Sequence, residues 1–232
     1  MKFKSIILGI AAAAFALTGC NSSSDNDNDD KQIFVDVATL ESNSTLGASL
    51  TLRKLNDSPL VTLTSPQQFD PSYFKVGKRV VIAYAPANGE QYVSGPVSIY
   101  SAVLAIGEGD KPEPGTAEAT NNWASGQIKM ISAWRTGKYL NLAFNGSTYS
   151  DPVCHLYLDK ATADTDNPHL YFTFAPKGAF EFTEGTFYAS YNIEDLWDDP
   201  NVKSITLSYC DTNDANASKN FVKGASEITP AE

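Results

Sequence analysis

From residue 33 onward the sequence is a succession of short apolar segments separated by turns, and no helical period is sustained over three turns. The segment from Ile33 to Thr39 alternates apolar and polar residues, which is the two-residue period of a half-buried strand. Turn formers such as Asn56-Asp57-Ser58-Pro59 separate the segments. The sequence therefore predicts an all-β chain, with strands at 33–39, 46–55, 60–64, 78–84, 96–106, 127–134, 139–144, 152–159, 170–174, 186–191 and 204–210.

A segment rich in glycine and proline divides these strands into two groups. Residues 107–126 begin with Gly-Glu-Gly-Asp-Lys-Pro-Glu-Pro-Gly, a composition that we expect neither to pair in a sheet nor to continue a helix. The five short strands before it suit a small OB-like barrel, and the strands after it suit an antiparallel β-sandwich. We therefore predict a barrel domain at 33–120 and a sandwich domain at 121–232.

Two single helical turns are predicted inside these domains. The order Asp70-Pro71 places an N-cap residue before a proline at the first helical position. Asn192 and Asp195 form a capping pair for a second short turn.

The N-terminal residues have the pattern of a targeting segment. Lys2 and Lys4 precede an apolar run from Ile6 to Leu17, which is too short to cross a bilayer as a helix. The run ends in Leu17-Thr18-Gly19-Cys20, which resembles the lipobox of bacterial lipoproteins. The resemblance implies that residues 1–19 are a signal peptide and that Cys20 carries the lipid that anchors the mature chain to a membrane.

Residues 20–32 separate this anchor from the first strand. The stretch from Asn21 to Lys31 is polar and acidic, and it contains no apolar residue. Such a segment cannot bury enough surface to offset its conformational entropy, so we predict a disordered acidic tether. Its serine-then-acid order resembles the export signal of Bacteroidetes lipoproteins that reach the outer face of the outer membrane, and a plain solvated linker is the alternative. The predicted location is the outer membrane, lipid-anchored, with the cell surface and the periplasmic face both open.

The chain is strongly acidic, with a formal net charge of -10 at pH 7. An acidic surface repels phosphate backbones, so the sequence predicts no nucleic-acid partner. Lys75, Lys78 and Arg79 form a basic cluster. Clusters of that size are usually solvated strand ends, and we interpret this one in that way.

The sequence holds no constellation of residues that predicts catalysis. Its two histidines are His155 and His169, and Cys154 beside His155 would point to the opposite face of a strand. The acidic loops at 164–167 and 211–214 offer clustered oxygens but lack the glycine and glutamate of an EF-hand loop. We predict a non-enzymatic protein with no cofactor and no metal site.

Cys154 and Cys210 remain once Cys20 is assigned to the lipid. An extracytoplasmic location permits a disulfide between them. The strand alternation places Cys210 on the face opposite to Ile205 and Leu207, which disfavours pairing without excluding it.

Two segments carry a resemblance to a known family. They are Phe74-Lys75-Val76-Gly77-Lys78-Arg79-Val80-Val81-Ile82-Ala83-Tyr84 and Ala133-Trp134-Arg135-Thr136-Gly137-Lys138-Tyr139-Leu140-Asn141-Leu142-Ala143-Phe144. Both resemble segments of the NigD-like lipoproteins of Bacteroidetes. The resemblance implies an N-terminal OB-like domain and a C-terminal β-sandwich behind a lipobox, with no catalytic residues. Because the founding member was proposed as an immunity factor encoded beside a bacteriocin, the implied function is a non-enzymatic binding module of the immunity type.

Trp123 and Trp197 lie in loop-like segments and are candidate stacking platforms for a sugar ring. Tryptophans in such positions also cap β-sandwich cores, which is the alternative interpretation. The second hypothesis is therefore a surface glycan-binding accessory lipoprotein. The predicted partners are the membrane, through Cys20, and an unknown protein or glycan ligand.

Overall fold

The computed structural model describes residues 32–116, 128–148, 152–175 and 183–224. Cys20, Trp123 and residues 20–31 of the tether lie outside these ranges, so their predicted roles stay predictions. Within the described ranges the chain forms thirteen strands and one short helix. The predicted all-β fold class is confirmed.

Five strands form the first domain: β1 (Phe34–Ser44), β2 (Gly47–Leu52), β3 (Val61–Ser65), β4 (Arg79–Pro86) and β5 (Gly95–Leu104). They close into a barrel in the order β1-β2-β3-β5-β4. β3 and β5 pair in parallel, and the other neighbours are antiparallel. The hairpin predicted around residues 56–59 is confirmed, because Leu52 at the end of β2 is opposite Val61 at the start of β3.

The two-residue period divides the side chains of β1 and β4 between the inside and the outside of the barrel. Leu40, Ile82 and Tyr84 are completely buried inside it. Val37 and Val81 belong to a separate buried cluster on the outside of the same strands. The barrel therefore has one apolar strip on its outer surface, and the second domain covers that strip.

The helical turn predicted at Asp70 is present between β3 and β4. The amide of Phe74 donates to the carbonyl of Asp70 over 2.8 Å, which is one turn of α-helical bonding. The amide and the hydroxyl of Ser72 donate to Asp70 Oδ1 at 2.8 and 2.6 Å. Asp70 thus acts as the predicted N-cap residue.

A partly buried carboxylate connects β1 to β4 and to the β4–β5 loop. Asp36 accepts hydrogen bonds from the hydroxyls of Tyr84 and Tyr92, at 2.9 and 3.0 Å, and from Nε2 of Gln91 at 2.9 Å. All three donors are uncharged. Burial raises the pKa of Asp36 above its usual 3.8, and the three hydrogen bonds only partly oppose that rise.

The raised pKa of Asp36 predicts a pH-dependent stability. The folded state favours the protonated carboxyl of Asp36. The contribution of this carboxyl to the free energy of unfolding is therefore full below about pH 3.8, and it is lost as the pH rises through the folded-state pKa. Asp36→Asn removes this titration. We therefore expect the free energy of unfolding of the variant, relative to the wild type, to rise between about pH 3 and pH 7 in urea titrations.

Asp70→Asn is the matched control with the opposite sign. Hydrogen bonds from Ser72 lower the pKa of Asp70, so its contribution is present above about pH 3.8 and is lost as the pH falls through the folded-state pKa. The free energy of unfolding of Asp70→Asn, relative to the wild type, should therefore fall as the pH rises. Parallel pH curves for the two variants would contradict the assignment of the Asp36 shift to burial.

Eight strands and the helix form the second domain: β6 (Glu113–Gly115), β7 (Lys129–Thr136), β8 (Tyr139–Thr148), β9 (Val153–Asp159), β10 (His169–Ala175), β11 (Thr183–Asn192), α1 (Glu194–Trp197), β12 (Ser204–Tyr209) and β13 (Ala217–Val222). One sheet has the order β13-β12-β10-β9-β6, and the other has the order β11-β8-β7. Their inner faces share one core that contains Phe144, Phe172 and Phe174. The predicted β-sandwich is confirmed. Among the described residues no helix has the length and apolarity to span a bilayer.

Two strands of the sandwich were not predicted, and two of its strand pairs are parallel. β6 and β13 lie at the two edges of the larger sheet. β13 has one buried residue, Phe221, so its sequence carries little apolar alternation. The pairs β10–β12 and β6–β9 are parallel, and the remaining pairs of the sandwich are antiparallel. β10 and β12 are neighbours in the sheet although β11 and α1 lie between them in the chain. The composition of the turns does not predict this long connection.

The expectation that the glycine- and proline-rich segment does not pair is wrong for its described part. Glu113-Pro114-Gly115 forms β6, an edge strand, where proline is tolerated because one side of the strand is unpaired. Just upstream, the amide of Ile106 donates to Tyr188 over 2.9 Å, and that of Ser190 donates to Ile106 over 2.8 Å. Residues before the boundary predicted near residue 120 therefore already lie against the sandwich sheets.

Candidate binding site at the domain junction

The two domains meet through an apolar contact. Val37 and Val81 on the outside of the barrel cluster with Ala105, and Trp134 and Tyr188 of the sandwich pack against them. Burial of such side chains contributes roughly 25 cal/mol per Å² of apolar surface removed from water. This contact holds β1 and β4 of the barrel against β7 and β11 of the sandwich.

Beside the apolar contact lies an open pocket of about 560 Å³, here called the junction cleft, between β1, β2 and the β2–β3 loop on one side and the β7–β8 turn and α1 on the other. Arg53, Arg79 and Arg135 line it, together with Lys138, Tyr139 and Trp197. The sequence contains no other arginine. An acidic chain therefore concentrates every guanidinium group that it has in one cleft.

Arg79 begins β4 and is the most buried of the three, with 2% of its surface exposed. It donates to barrel oxygens of Thr39 (Oγ1, 3.0 Å) and Val37 (main chain, 3.1 Å). It also donates to sandwich oxygens of Ser190 (Oγ, 3.0 Å) and Asn141 (Oδ1, 3.1 Å). One guanidinium group thus hydrogen-bonds both domains.

All of these acceptors are uncharged, and no carboxylate of the described residues lies within ion-pair distance of Arg79. The ring of Tyr139 lies under the guanidinium group, with 4.3 Å between Cζ and the ring centroid. Burial lowers the pKa of Arg79 to about 10. The cleft wall therefore holds a buried positive charge. Hydrogen bonds and an aromatic ring stabilise this charge, and no carboxylate of the described residues forms an ion pair with it.

Arg135 is the second-last residue of β7 and forms the second connection between the domains. Its Nη1 and Nη2 donate to the two carboxylate oxygens of Asp57 in the β2–β3 loop, at 2.9 and 2.6 Å. This two-point geometry is the strong form of an arginine–carboxylate pair, and it lowers the pKa of Asp57. The guanidinium carbon lies 4.2 Å from the ring centroid of Trp197. Nε of Arg135 is buried and has no hydrogen-bond partner among the described residues.

Main-chain hydrogen bonds join the same two loops. The amide of Asn56 donates to the carbonyl of Arg135 over 2.7 Å, and the amide of Gly137 donates to the carbonyl of Asn56 over 2.6 Å. Asn56 and Gly137 both have positive φ angles, 47° and 57°. Glycine adopts this conformation without a steric penalty, and asparagine tolerates it better than most residues.

The remaining charged groups of the cleft are less constrained. Arg53 donates to the carbonyls of Asp57 and Ser58, and no carboxylate of the described residues lies within ion-pair distance of it. Lys138 pairs with Glu194 at 3.4 Å. Glu41 accepts a hydrogen bond from Thr51 at 2.5 Å. The cleft thus contains both cations and carboxylates. Neither Arg53 nor Arg79 forms an ion pair with a carboxylate of the described residues.

Trp197, one of the two predicted ligand-binding tryptophans, lies in the junction cleft. Its ring contacts the cations of Arg135 and Lys223, the latter at 5.8 Å from the centroid. Trp123, the other, lies outside the described residues. The prediction that either tryptophan binds a ligand is not tested.

The interpretation of the basic cluster is wrong for Arg79 and holds for its neighbours. Lys75 donates to the carbonyl of Pro71 at the surface, and Lys78 pairs with Asp110 over 2.9 Å. Arg79 instead points into the junction because it begins a strand whose outer face the sandwich covers. The one feature of the sequence that could have indicated this cleft is the scarcity of arginine, because all three arginines of the chain line it.

The other groups considered for chemistry lie apart from the cleft. Cys154 packs towards the sandwich core, whereas Nδ1 of His155 lies 2.8 Å from Glu113 on the outer side, which confirms their opposite faces. Cys154 and Cys210 are free thiols, and burial raises the pKa of Cys154 to about 12. In the described ranges no group of three or more His, Cys, Asp or Glu side chains is arranged to hold a metal.

These observations define a class: a two-domain all-β protein in which a closed barrel and a β-sandwich share a cleft at their junction. The family follows from the second domain, because residues 111–222 match the NigD-like C-terminal beta sandwich domain. The resemblance to the NigD-like proteins is thus confirmed for the second domain, which contains the motif from Ala133 to Phe144. No curated protein sequence matches it.

Three solved structures share the fold over most of their length. A protein of unknown function from Bacteroides vulgatus is 15% identical, with a TM-score of 0.62 over 84% of this chain and 93% of that one. A protein from Parabacteroides distasonis described as toxin-related is 14% identical, with a TM-score of 0.57 over 83% and 95%. A NigD-like immunity protein from Bacteroides caccae is 14% identical, with a TM-score of 0.56 over 83% and 98%. At these identities the likeness concerns the fold alone.

Proposed function

We propose that this chain is a lipid-anchored protein of the outer membrane that acts by binding, without catalysis, and protects its cell by capturing a secreted antibacterial polypeptide. The observation that carries the proposal is the junction cleft, where all three arginines and Trp197 come together. Arginine and tryptophan are the residues most enriched among the strong contacts of protein–protein interfaces. The cleft is therefore the proposed contact site.

The family supports this proposal over a catalytic one. One structural relative is named a NigD-like immunity protein, and another is described as toxin-related. In the cleft, Arg79 and Arg135 are fixed by hydrogen bonds and aromatic contacts, as suits recognition by shape and charge. Arg79 remains protonated at neutral pH, because its pKa of about 10 is well above 7.

The anchor is the first part of the proposal to test. Cys20→Ala removes the acceptor for the lipid, so we expect the protein to move from the membrane fraction to the soluble fraction. Cys154→Ala is the matched control, because it also removes one thiol but lies in the sandwich. Fractionation followed by immunoblotting measures both. Membrane retention of the Cys20→Ala protein would contradict the lipid anchor.

The protective role is tested in the bacterium that carries the gene. Deletion of the gene should make cells sensitive to the culture supernatant of at least one strain of the same or a related species, and the wild-type gene should restore resistance. The Cys20→Ala gene should restore little resistance, because the released protein is no longer held at the envelope. Equal sensitivity of deleted and complemented cells to every supernatant would contradict the immunity role.

The glycan-binding alternative makes a different prediction for the same strains. It expects the deletion to reduce growth on particular polysaccharides and to leave sensitivity to supernatants unchanged. Trp197 does not favour this alternative, because Arg135 and Lys223 already contact its ring. A sugar that stacked on this tryptophan would compete with those cations.

A further inference from the structure

Two arginines of the junction cleft have no carboxylate partner. Arg79 is 2% exposed, and its four hydrogen bonds all go to uncharged oxygens. A guanidinium group has five N–H donors, so one of them remains without an acceptor among the described residues. A buried charge without a counter-ion is costly, and such groups are normally paired. The cleft wall thus has a buried cation that forms no ion pair with a carboxylate of the described residues.

Two further observations point to the same conclusion. Arg53 lines the cleft from the barrel side, and its only hydrogen bonds among the described residues go to two main-chain carbonyls. Nε of Arg135 is buried beside the cleft without any acceptor in the described part of the chain. Unsatisfied buried donors are rare in folded proteins, and each one calls for a partner.

We infer that the junction cleft is a carboxylate-binding site, which takes a C-terminal carboxylate or an acidic side chain of the bound polypeptide. This inference rests on the proposed binding function and names the chemical group that the cleft recognises. Planar guanidinium groups match the two oxygens of a carboxylate.

The charges around the arginines favour a monoanion. Glu41 and Asp198 also line the cleft, and the whole chain carries a net charge of -10. These charges oppose the entry of a phosphate or another group with two negative charges. A single carboxylate would gain the contacts with the arginines and meet the least repulsion. Leu60 lines the cleft and is 53% exposed, so it offers apolar surface to the residue next to the carboxylate.

The test measures the binding of labelled pentapeptide pools to the purified full chain by fluorescence anisotropy. One pool has a free C-terminal carboxylate and no acidic side chain, a second has the same sequences with a C-terminal amide, and a third adds one glutamate to the amidated pool. We expect the first or the third pool to bind about tenfold more tightly than the second. The pool that binds identifies the source of the carboxylate. Equal binding of all three pools would overturn the inference.

Variants connect the binding to the cleft. Arg53→Gln should weaken the binding of the carboxylate pool about tenfold, because it removes a half-buried guanidinium group that makes none of the hydrogen bonds described between the two domains. Glu41→Gln removes a competing negative charge and should tighten binding about threefold. Lys75→Gln removes one positive charge outside the cleft and should change nothing. A purely structural role of these residues does not predict tighter binding for Glu41→Gln. Unchanged affinities in all three variants would overturn the inference.

The two proposals fail separately. The peptide assay uses purified protein and defined peptides, so it does not depend on any protective phenotype. Carboxylate binding without protection would contradict the immunity role alone. Protection by a protein that binds all three pools equally would contradict the carboxylate site alone.

Discussion

Arg79→Ala is expected to lower the free energy of unfolding by about 3 kcal/mol. The substitution removes the donors to Thr39, Val37, Ser190 and Asn141, and it leaves these buried groups without that partner at the domain junction. Each buried acceptor that loses its partner lowers the free energy of unfolding by about 1–3 kcal/mol. Removing the buried guanidinium group also relieves its desolvation cost, but this gain is smaller because the group is already well hydrogen-bonded. Because the same side chain bonds both domains, we also expect one urea transition for the wild type and two for the variant.

Lys78→Ala is the matched control, since it removes a neighbouring positive charge. Lys78 pairs with Asp110 and Glu108 at the surface, and its side chain is about one-third exposed. Surface pairs of this kind contribute about 0–1 kcal/mol. Urea unfolding monitored by tryptophan fluorescence and by circular dichroism measures both variants. Equal losses for the two substitutions would contradict a special role of the buried arginine.

Phe144→Ala is expected to have the largest effect on the sandwich, a loss of about 3–5 kcal/mol. Phe144 is completely buried between the two sheets. Its ring centroid lies 5.2 Å from that of Phe172 and 5.8 Å from those of Phe174 and Phe187. The substitution leaves a cavity that these aromatic rings cannot fill without leaving their packed positions.

Two companion variants make this result interpretable. Phe144→Leu keeps most of the buried volume and should lose less than Phe144→Ala. Tyr100→Ala removes an aromatic ring that is 56% exposed on the barrel, and it should change the free energy of unfolding by no more than about 0.5 kcal/mol. Thermal and urea unfolding measure all three. A loss for Phe144→Ala no larger than that for Tyr100→Ala would contradict the assignment of Phe144 to the core.

The strands could be predicted from the sequence because their signal is local. Alternation around Val37 identifies β1, the continuous apolar run around Val81 identifies β4, and the turn at residues 56–59 identifies a hairpin. β4 is apolar on both faces from Val80 to Ala85, which is a local sign that the outside of the barrel is covered. From that sign alone the covering partner cannot be named.

The candidate site could not be predicted because its contacts are remote in sequence. Asn141, which accepts from Arg79, lies 62 residues away from it, and Asp57 lies 78 residues away from Arg135. An arginine at a strand end has the same local sequence whether it is solvated or buried, so only the packing of the two domains decides. Composition held the one usable clue, the presence of just three arginines.

The hydrogen bonds of Arg79 also limit how such proteins can diverge. Its acceptors come from both halves of the chain, so a barrel from one relative joined to a sandwich from another would have to supply a matching set of oxygens. Recombination between relatives should therefore seldom yield a working hybrid. New specificities would then arise by point changes in the β2–β3 loop and around α1, while the two halves are inherited together.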